Sequence, residues 1–415
     1  MKRILFIHKN YPAQFGALGH WLAGQGWDVT FATQREDAKS DTVRIVKFSD
    51  HRKNTDGIHH YVAGMERAVI TGQGFVRLAV ALKNQGYEPD IVVAHSGWGA
   101  GAFAKDVWPT SRYVPYVEWW YQFPALDITP HDNLGDPLDV AARTRVRNAP
   151  SWLDFTGADA VIAPTKYQKS TFPKKMQSQI TVLPDGMDTD LHSPGPRSPE
   201  LMKELGIPED AQIITYIARG MEPARGFPEM MRAVTALQAD RPNFHAIIIG
   251  EDRVAYGSKA KGESWKDKML AELTPDLQRL HFTGLVSRRR MIEVLRAGDA
   301  HLYLSTPFVL SWSVLDAMAC GALIVANDSA PVREFITNGK SGLLVDMYDP
   351  DALQARIAKA LDGGASLKKI RQTARKRMVD TMDAGKVAYP KKVAFFETLL
   401  GVKNAPKRKA AKRKT

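Results

Sequence analysis

The sequence predicts an α/β chain of doubly wound parallel sheets, and three observations predict it. Apolar runs of strand length recur from end to end, they are continuous in Val, Ile and Leu, and stretches of helical spacing separate them. Strands buried on both faces read in this way, and alternation with helices is what a parallel sheet requires. In the first half ILFIH (4–8), WDVTFA (27–32), VRIVKF (43–48), DIVVAH (90–95), RYVPYV (112–117), AVIAP (160–164) and ITVLP (180–184) read as strands. In the second half IITYIA (213–218), HAIIIG (245–250), LHFTG (280–284), HLYLS (301–305), ALIVA (322–326) and GLLV (342–345) do the same.

Between the halves, residues 184–200 carry four prolines, two glycines and no apolar periodicity, the composition of a linker. Two such α/β domains place a cleft at facing sheet edges, and ligands of these sheets bind beyond the carboxyl ends of the strands, so the site is expected between the domains. Helical stretches follow at 350–362, 366–384 and 386–401, the last long enough to cross back to the first domain. The expected organisation is a first Rossmann-like domain over 1–190, a second over 191–380, a returning helix over 381–402 and a disordered basic tail over 403–415.

Composition narrows the function classes. At 415 residues the chain exceeds one domain of roughly 150 residues. With 44% hydrophobic and 25% charged residues it is neither wholly disordered nor fibrous. Cys320 is the single cysteine, which excludes an intramolecular disulfide and a cysteine-clustered metal site. The opening MKRILFIHKNYPAQF lacks the apolar core of a signal peptide, and no run reaches the length of a membrane span. A cytoplasmic protein is expected, with peripheral attachment at the cytoplasmic face of a membrane as an option. The net charge is +12, but the last thirteen residues carry seven Lys/Arg and no acid, which leaves +5 for the rest. Such a tail solubilises, or attracts anionic lipid or nucleic acid. Lipid is the better fit, because the aromatics sit in apolar runs and are not interleaved with Lys/Arg.

Two segments carry chemistry. In YIARGMEPARGFPEMMRAV, Arg219 and Arg225 flank Glu222-Pro223 after a strand and before a helix opening at Gly226-Phe227-Pro228. Guanidinium forks beside a helix N-terminus suit a diphosphate; two solvated loop arginines are the other reading. In YLSTPFVLSWSVLDAMACGALIVA, a helix starting near Ser311 turns the amides of Val309, Leu310 and Ser311 toward an anion. Asp316, in the same apolar helix, needs a partner, either ribose hydroxyls or a nearby arginine.

At these residues the chain resembles a retaining glycosyltransferase of the GT-B fold, family 4, over most of residues 1–350. The matching phrases are NYPAQFGALGHWLAGQGWDVT, DIVVAHSGWG, VIAPTKYQKSTFP with LPDGMDTDLHSP, ARGMEPARGF, LHFTGLVSRRRMIEVLRAGDAHLYLS, LDAMACGALIVA and APVREFITNGKSGLLV. The resemblance implies that Arg219 and Arg225 hold a nucleotide-sugar diphosphate, and that Asp316, the second acid of a Glu-x7-Glu pattern, holds the ribose. Phe308 stands where the first acid is expected, which leaves the transferred sugar open. It further implies backbone contacts from Val309, Leu310 and Ser311 to phosphate and sugar, His95 near the sugar, and Gly16 letting the first loop approach the donor. Leu285 and Val286 are then expected at the base. Transfer to a carbohydrate, lipid-linked or protein hydroxyl would need no metal and no cofactor beyond the donor.

Other readings compete. Asp188-Thr189-Asp190 matches the DxD of metal-dependent transferases but sits in the linker, where a turn-capping role fits Asp188. Gly97, Gly99 and Ala102 fit G-x-G-x-x-A after a strand, with Glu118 further on, the pattern of a dinucleotide-dependent oxidoreductase. A nucleotide-sugar epimerase or an inactive sugar-binding relative would share the architecture. Glu118, Trp119 and Tyr121, with His131 in the loop DITPHDNLGDP, are candidate acceptor-side groups or ordinary core and surface residues. Arg288, Arg289 and Arg290 open a helix, where cations oppose its dipole, and are expected to be solvated.

Overall fold

The computed structural model describes residues 1–257, 259–260 and 262–401. The basic tail expected over 403–415 lies outside them. All of the apolar runs named above form strands. Those of the first half are β1 (Arg3–Ile7), β2 (Asp28–Thr33), β3 (Arg44–Lys47), β4 (Ile91–His95), β5 (Arg112–Tyr116), β6 (Val161–Ala163) and β7 (Ile180–Val182). The second half supplies β8 (Gln212–Gly220), β9 (Phe244–Glu251), β10 (Leu280–Gly284), β11 (Ala300–Tyr303), β12 (Ile324–Asn327) and β13 (Leu343–Val345). They build two wholly parallel sheets, ordered β3-β2-β1-β4-β5-β6-β7 and β10-β9-β8-β11-β12-β13. In each the order reverses beside the first strand, between β1 and β4 and between β8 and β11. At such switch points the loops at the carboxyl ends diverge to opposite faces and leave a crevice.

Continuous apolar runs are explained by burial on both faces. Ile4 and Phe6 of β1 pack on one side with Phe15 and Phe31, while Leu5 and Ile7 pack on the other with Phe75 and Trp108. In the second sheet Ala246 and Ile248 of β9 join the core around Phe227 and Phe244, and Ile247 and Ile249 join that around Leu201 and Ile213.

The chain divides into two compact units. Unit 1 comprises Met1–Trp120, Arg143–Gly186 and the described residues from Ala384 on; unit 2 comprises Tyr121–Ala142 and Met187–Asp383. The sequence reading keeps 121–142 in the first domain, whereas the structure groups it with the second sheet. The C-terminal helix, Tyr389–Leu399, does return to unit 1. Its buried face is Tyr389, Lys392 and Phe396, three residues at helical spacing. Phe396 is fully buried and lies 6.4 Å from Trp27, and Tyr389 lies 5.5 Å from Trp21. Lys392 is only 2% exposed, with Nζ 3.6 Å from Asp185 Oδ1.

A buried histidine ties fold to pH. His301, in β11, is fully buried with Nδ1 2.9 Å from Thr215 Oγ1 of β8, and burial depresses its pKa from 6.5 to about 3. The unfolded chain takes up a proton below pH 6.5 and the native state does not, so the stability His301 contributes is present above 6.5 and lost as pH falls toward 3. The slope is at most about 1.4 kcal/mol per pH unit. Urea midpoints measured across that range should flatten by up to this amount in His301→Asn.

Candidate functional site

In unit 2 the crevice between β8 and β11 gathers the arginines. Arg219 is exposed near the carboxyl end of β8. Arg225 closes a short 3-10 turn, Pro223–Arg225, where Gly226 follows with φ 64°. A Cβ at Gly226 would stand 2.4 Å from Leu304 Cβ and 2.5 Å from the Leu304 carbonyl oxygen, so only glycine lets the turn press against the end of β11. Gly226→Ala should cost about 2 kcal/mol or more, from left-handed backbone plus a backbone clash, read as a lower urea midpoint.

The Arg225 guanidinium is fixed by neutral groups. Nη1 donates to Ser305 Oγ at 3.0 Å, and Cζ lies 5.2 Å from the Tyr256 ring centroid. Its carbonyl accepts from Tyr216 Oη at 2.8 Å, and Asn327 Nδ2 holds the Ser305 carbonyl at 3.0 Å. Among the described residues neither Arg219 nor Arg225 forms an ion pair with a carboxylate. Their positive charge is therefore available to an external anion. Phe308 lies 5.4 Å from Tyr256, so an aromatic pair borders Arg225 where the family pattern would put a carboxylate.

Glu222 was legible in the sequence only as a spacer. It is fully buried; Oε2 accepts from the amides of Ala255 and Tyr256, the latter at 2.8 Å, and Oε1 has no partner. Burial pushes its carboxyl up, partly offset by those amides and Arg225. It pins the loop that carries Tyr256 against Arg225.

Of the two helix N-termini, the first keeps the expected dipole and the second is corrected in part. In the helix Phe227–Asp240 the Phe227 amide donates to the Glu222 carbonyl at 3.2 Å, Pro228 has none, and the Glu229 amide bonds its own carboxylate. This terminus keeps its dipole but offers no free amide in its first turn. In the helix Trp312–Ala319, Ser311 is the N-cap, and its amide donates to Tyr303 Oη at 2.9 Å. Of the three amides expected to face an anion, only those of Val309 and Leu310 lack a partner among the described residues.

Asp316 finds a partner that sequence reading missed. Its Oδ1 lies 3.6 Å from Nε2 of buried His192, whose Nδ1 donates to the Asp188 carbonyl at 2.9 Å. Burial raises the Asp316 carboxyl, with His192 and then Arg288 opposing. Asp188 Oδ1 accepts from the amides of Asp190 and Leu191 at 3.0 and 2.8 Å, so the DxD triplet caps a turn. Arg289 is 92% exposed as expected, but Arg290 is not solvated: it pairs with Glu204 at 2.5 Å and Glu293 at 3.2 Å. Leu285 is exposed and Val286 half-buried after edge strand β10, which β9 separates from Arg219.

Unit 1 has its own cluster at the β1/β4 switch point. His95 ends β4, buried, its ring stacked on Trp98 at 4.1 Å and edge-on to His8 at 5.0 Å. Its Nδ1 lies 2.9 Å from the Ser96 carbonyl and its Nε2 3.1 Å from Glu118 Oε2. Glu118 Oε1 accepts from Gln14 Nε2 at 3.1 Å and lies 3.3 Å from Tyr116 Oη, which is nearer to Asp185 at 3.0 Å. His8, 2% exposed, has Nδ1 2.8 Å from the Asn10 amide nitrogen and 2.9 Å from the Asn10 carbonyl oxygen, and has no partner at Nε2. Burial, then the neighbouring His95, lowers its pKa to about 3. Gly16 has an internal reason to be small: a Cβ would stand 2.3 Å from Pro12 Cβ.

The acceptor-side candidates do not form one group. Glu118 belongs to the His95 cluster, and Trp119 lies 6.1 Å from Tyr167. Tyr121 and His131 group with unit 2, where His131 Nε2 lies 3.7 Å from Glu229 Oε1 and its ring 4.9 Å from Trp265. The dinucleotide reading also fails locally. The Gly97 amide and Ser96 hydroxyl donate to buried Asp154 at 3.1 and 2.7 Å, placing a carboxylate where a pyrophosphate would need to sit.

Family models match both halves in succession. "Glycosyl transferase family 4 group" covers residues 25–192 and "Glycosyl transferases group 1" covers 197–377. The chain belongs to the family 4 glycosyltransferases of the GT-B fold. Among curated relatives this transferase is 25% identical over 326 residues to D-inositol 3-phosphate glycosyltransferase of Thermobispora bispora, covering 74% of the chain and 72% of the relative. It is 26% identical to alpha-maltose-1-phosphate synthase of Mycolicibacterium smegmatis over 51% of the chain and 56% of the relative. Among solved structures the fold matches sucrose-phosphate synthase from Thermosynechococcus elongatus with TM-score 0.73, 16% identity and coverage of 97% and 100%. Anabaena HepE in complex with UDP-glucose matches with TM-score 0.68, 16% identity and the same coverage. No helix among the transferase's described residues is long and apolar enough to cross a membrane.

Proposed function

We propose that the transferase moves a sugar from a nucleoside-diphosphate donor to a hydroxyl acceptor with retention at the anomeric carbon, without a metal or other cofactor. The observation that carries this reading is the pair Arg219 and Arg225 at the β8 edge, neither neutralised by a carboxylate. Breaking the bond from the anomeric carbon to the diphosphate oxygen leaves negative charge on that oxygen, and the two guanidiniums, of which Arg225 is anchored, stabilise it as it forms. The departing oxygen takes the acceptor's proton on the same face while the acceptor oxygen bonds to the anomeric carbon. Asp316 would take the ribose hydroxyls, and Tyr256 with Phe308 would border the sugar. UDP-glucose bound to the similarly folded HepE makes UDP-hexoses the first donors to test.

The test is incubation with UDP- and GDP-sugars in EDTA, following nucleotide release and reading product anomeric configuration by NMR. Nucleotide release with a retained anomer is the expected result. An inverted product, loss of turnover in EDTA, or no response to any nucleotide sugar would refute the corresponding part.

A further inference from the structure

We propose that Glu118 is a positioning residue for His95: its carboxylate, held by Gln14, fixes the imidazole as a donor through both ring nitrogens, a cationic group and not a proton acceptor. The hydrogen bonds support this assignment. A carbonyl cannot donate, so the contact with the Ser96 oxygen at 2.9 Å places a proton on Nδ1. At Nε2 either His95 donates to Glu118 or a protonated Glu118 donates to His95. Another donor, Gln14 Nε2, already lies on Glu118 at 3.1 Å, and a donor to a carboxyl favours its ionised form. Burial alone would raise the Glu118 carboxyl, but the His95 hydrogen bond and charge, with Gln14 and His8, bring it below its ordinary value.

The groups facing His95 from the other elements agree. His8, which follows β1, stands edge-on to His95, and burial keeps its ring neutral. Asp154, from the helix Ala149–Gly157, is the second carboxyl near His95 and is itself bonded by Tyr113, Ser96 and Gly97. Behind Glu118 the network continues through Tyr116 Oη to Asp185 at 3.0 Å and ends on Lys392 of the C-terminal helix. The returning helix thus supplies the far cation of a buried row in which two carboxyl groups, Asp185 and Glu118, lie between Lys392 and His95.

The consequence for the reaction rests on the transferase reading. A His95 with both nitrogens donating has no lone pair for the acceptor's proton, which agrees with a step in which the leaving phosphate takes it.

The experiment uses the full chain labelled with 15N-histidine, the His95 signals being assigned by their loss in His95→Gln. At neutral pH both His95 nitrogens should resonate as N–H nitrogens in the wild type. In Glu118→Gln, one should move to the unprotonated range, and Glu118→Asp should restore it at least in part. A wild-type His95 with one bare nitrogen, or signals unmoved in Glu118→Gln, would overturn the proposal; thermal melting shows whether each variant is folded. Where turnover is measurable, Glu118→Gln should lose roughly 10- to 100-fold in kcat with the donor KM little changed, in the range of single general acid–base or positioning groups. Its activity should also fall as pH rises through the ordinary histidine range, which a merely structural role would not produce. Absence of turnover with every nucleotide sugar would refute the transferase chemistry and leave the NMR result standing.

Discussion

Arg225→Ala should lower turnover by about 10²- to 10³-fold while the protein stays folded, the loss expected when one preorganised donor to a developing oxyanion is removed. The guanidinium is anchored by Ser305 Oγ and the Tyr256 ring and forms no ion pair with a carboxylate among the described residues, so its removal takes away charge, and buried Glu222, which feels that charge, keeps its two amide donors. Arg219→Ala should act in the same direction. Arg219 is exposed and lacks such anchors, so part of its contribution is lost to solvent screening and its loss should be the smaller. Both effects should appear in kcat and in kcat/KM together, because the charge they answer is greatest in the transition state. Steady-state kinetics with nucleotide release as the readout, alongside thermal melting, checks this. Unchanged kcat in both variants would remove the arginines from the mechanism.

Lys392→Ala should destabilise unit 1 by about 3–5 kcal/mol, the cost of leaving one charge of a buried pair alone. Lys392 is 2% exposed and faces Asp185, which also receives Tyr116 Oη at 3.0 Å. Burial lowers the Lys392 pKa and Asp185 opposes that shift. Removing the ammonium takes the facing cation from Asp185, near Glu118, in a place water reaches poorly. Lys392→Met, which fills the volume without the charge, should cost nearly as much, whereas Lys392→Met with Asp185→Asn should recover a large part. Urea denaturation of the single and double variants measures the coupling.

The strands were readable because burial on both faces writes itself as an unbroken apolar run, as IVVAH and HAIIIG show. The returning helix was readable for a related reason: it is an apolar stretch past the last strand that needs a surface to cover. What could not be read depends on pairings across long sequence distance. Nothing near Lys392 announces Asp185, and nothing near His95 announces Glu118, because both pairs are made by strands and helices meeting in space. The segment 121–142 has no periodicity to assign it, and its His131 reveals its place only through Glu229 and Trp265. Glu222 looked like a spacer because its function is to bind amides more than thirty residues away. The Ser311 amide looked free because Tyr303, which occupies it, belongs to the preceding strand.

Calorimetric titration of a nucleoside diphosphate in EDTA, into the wild type and into Arg219→Ala/Arg225→Ala, tests the central claim most directly. The account predicts binding to the wild type that the double variant loses almost entirely while its melting temperature is kept. Equal affinity in the two proteins, or no binding to the wild type by either UDP or GDP, would contradict it.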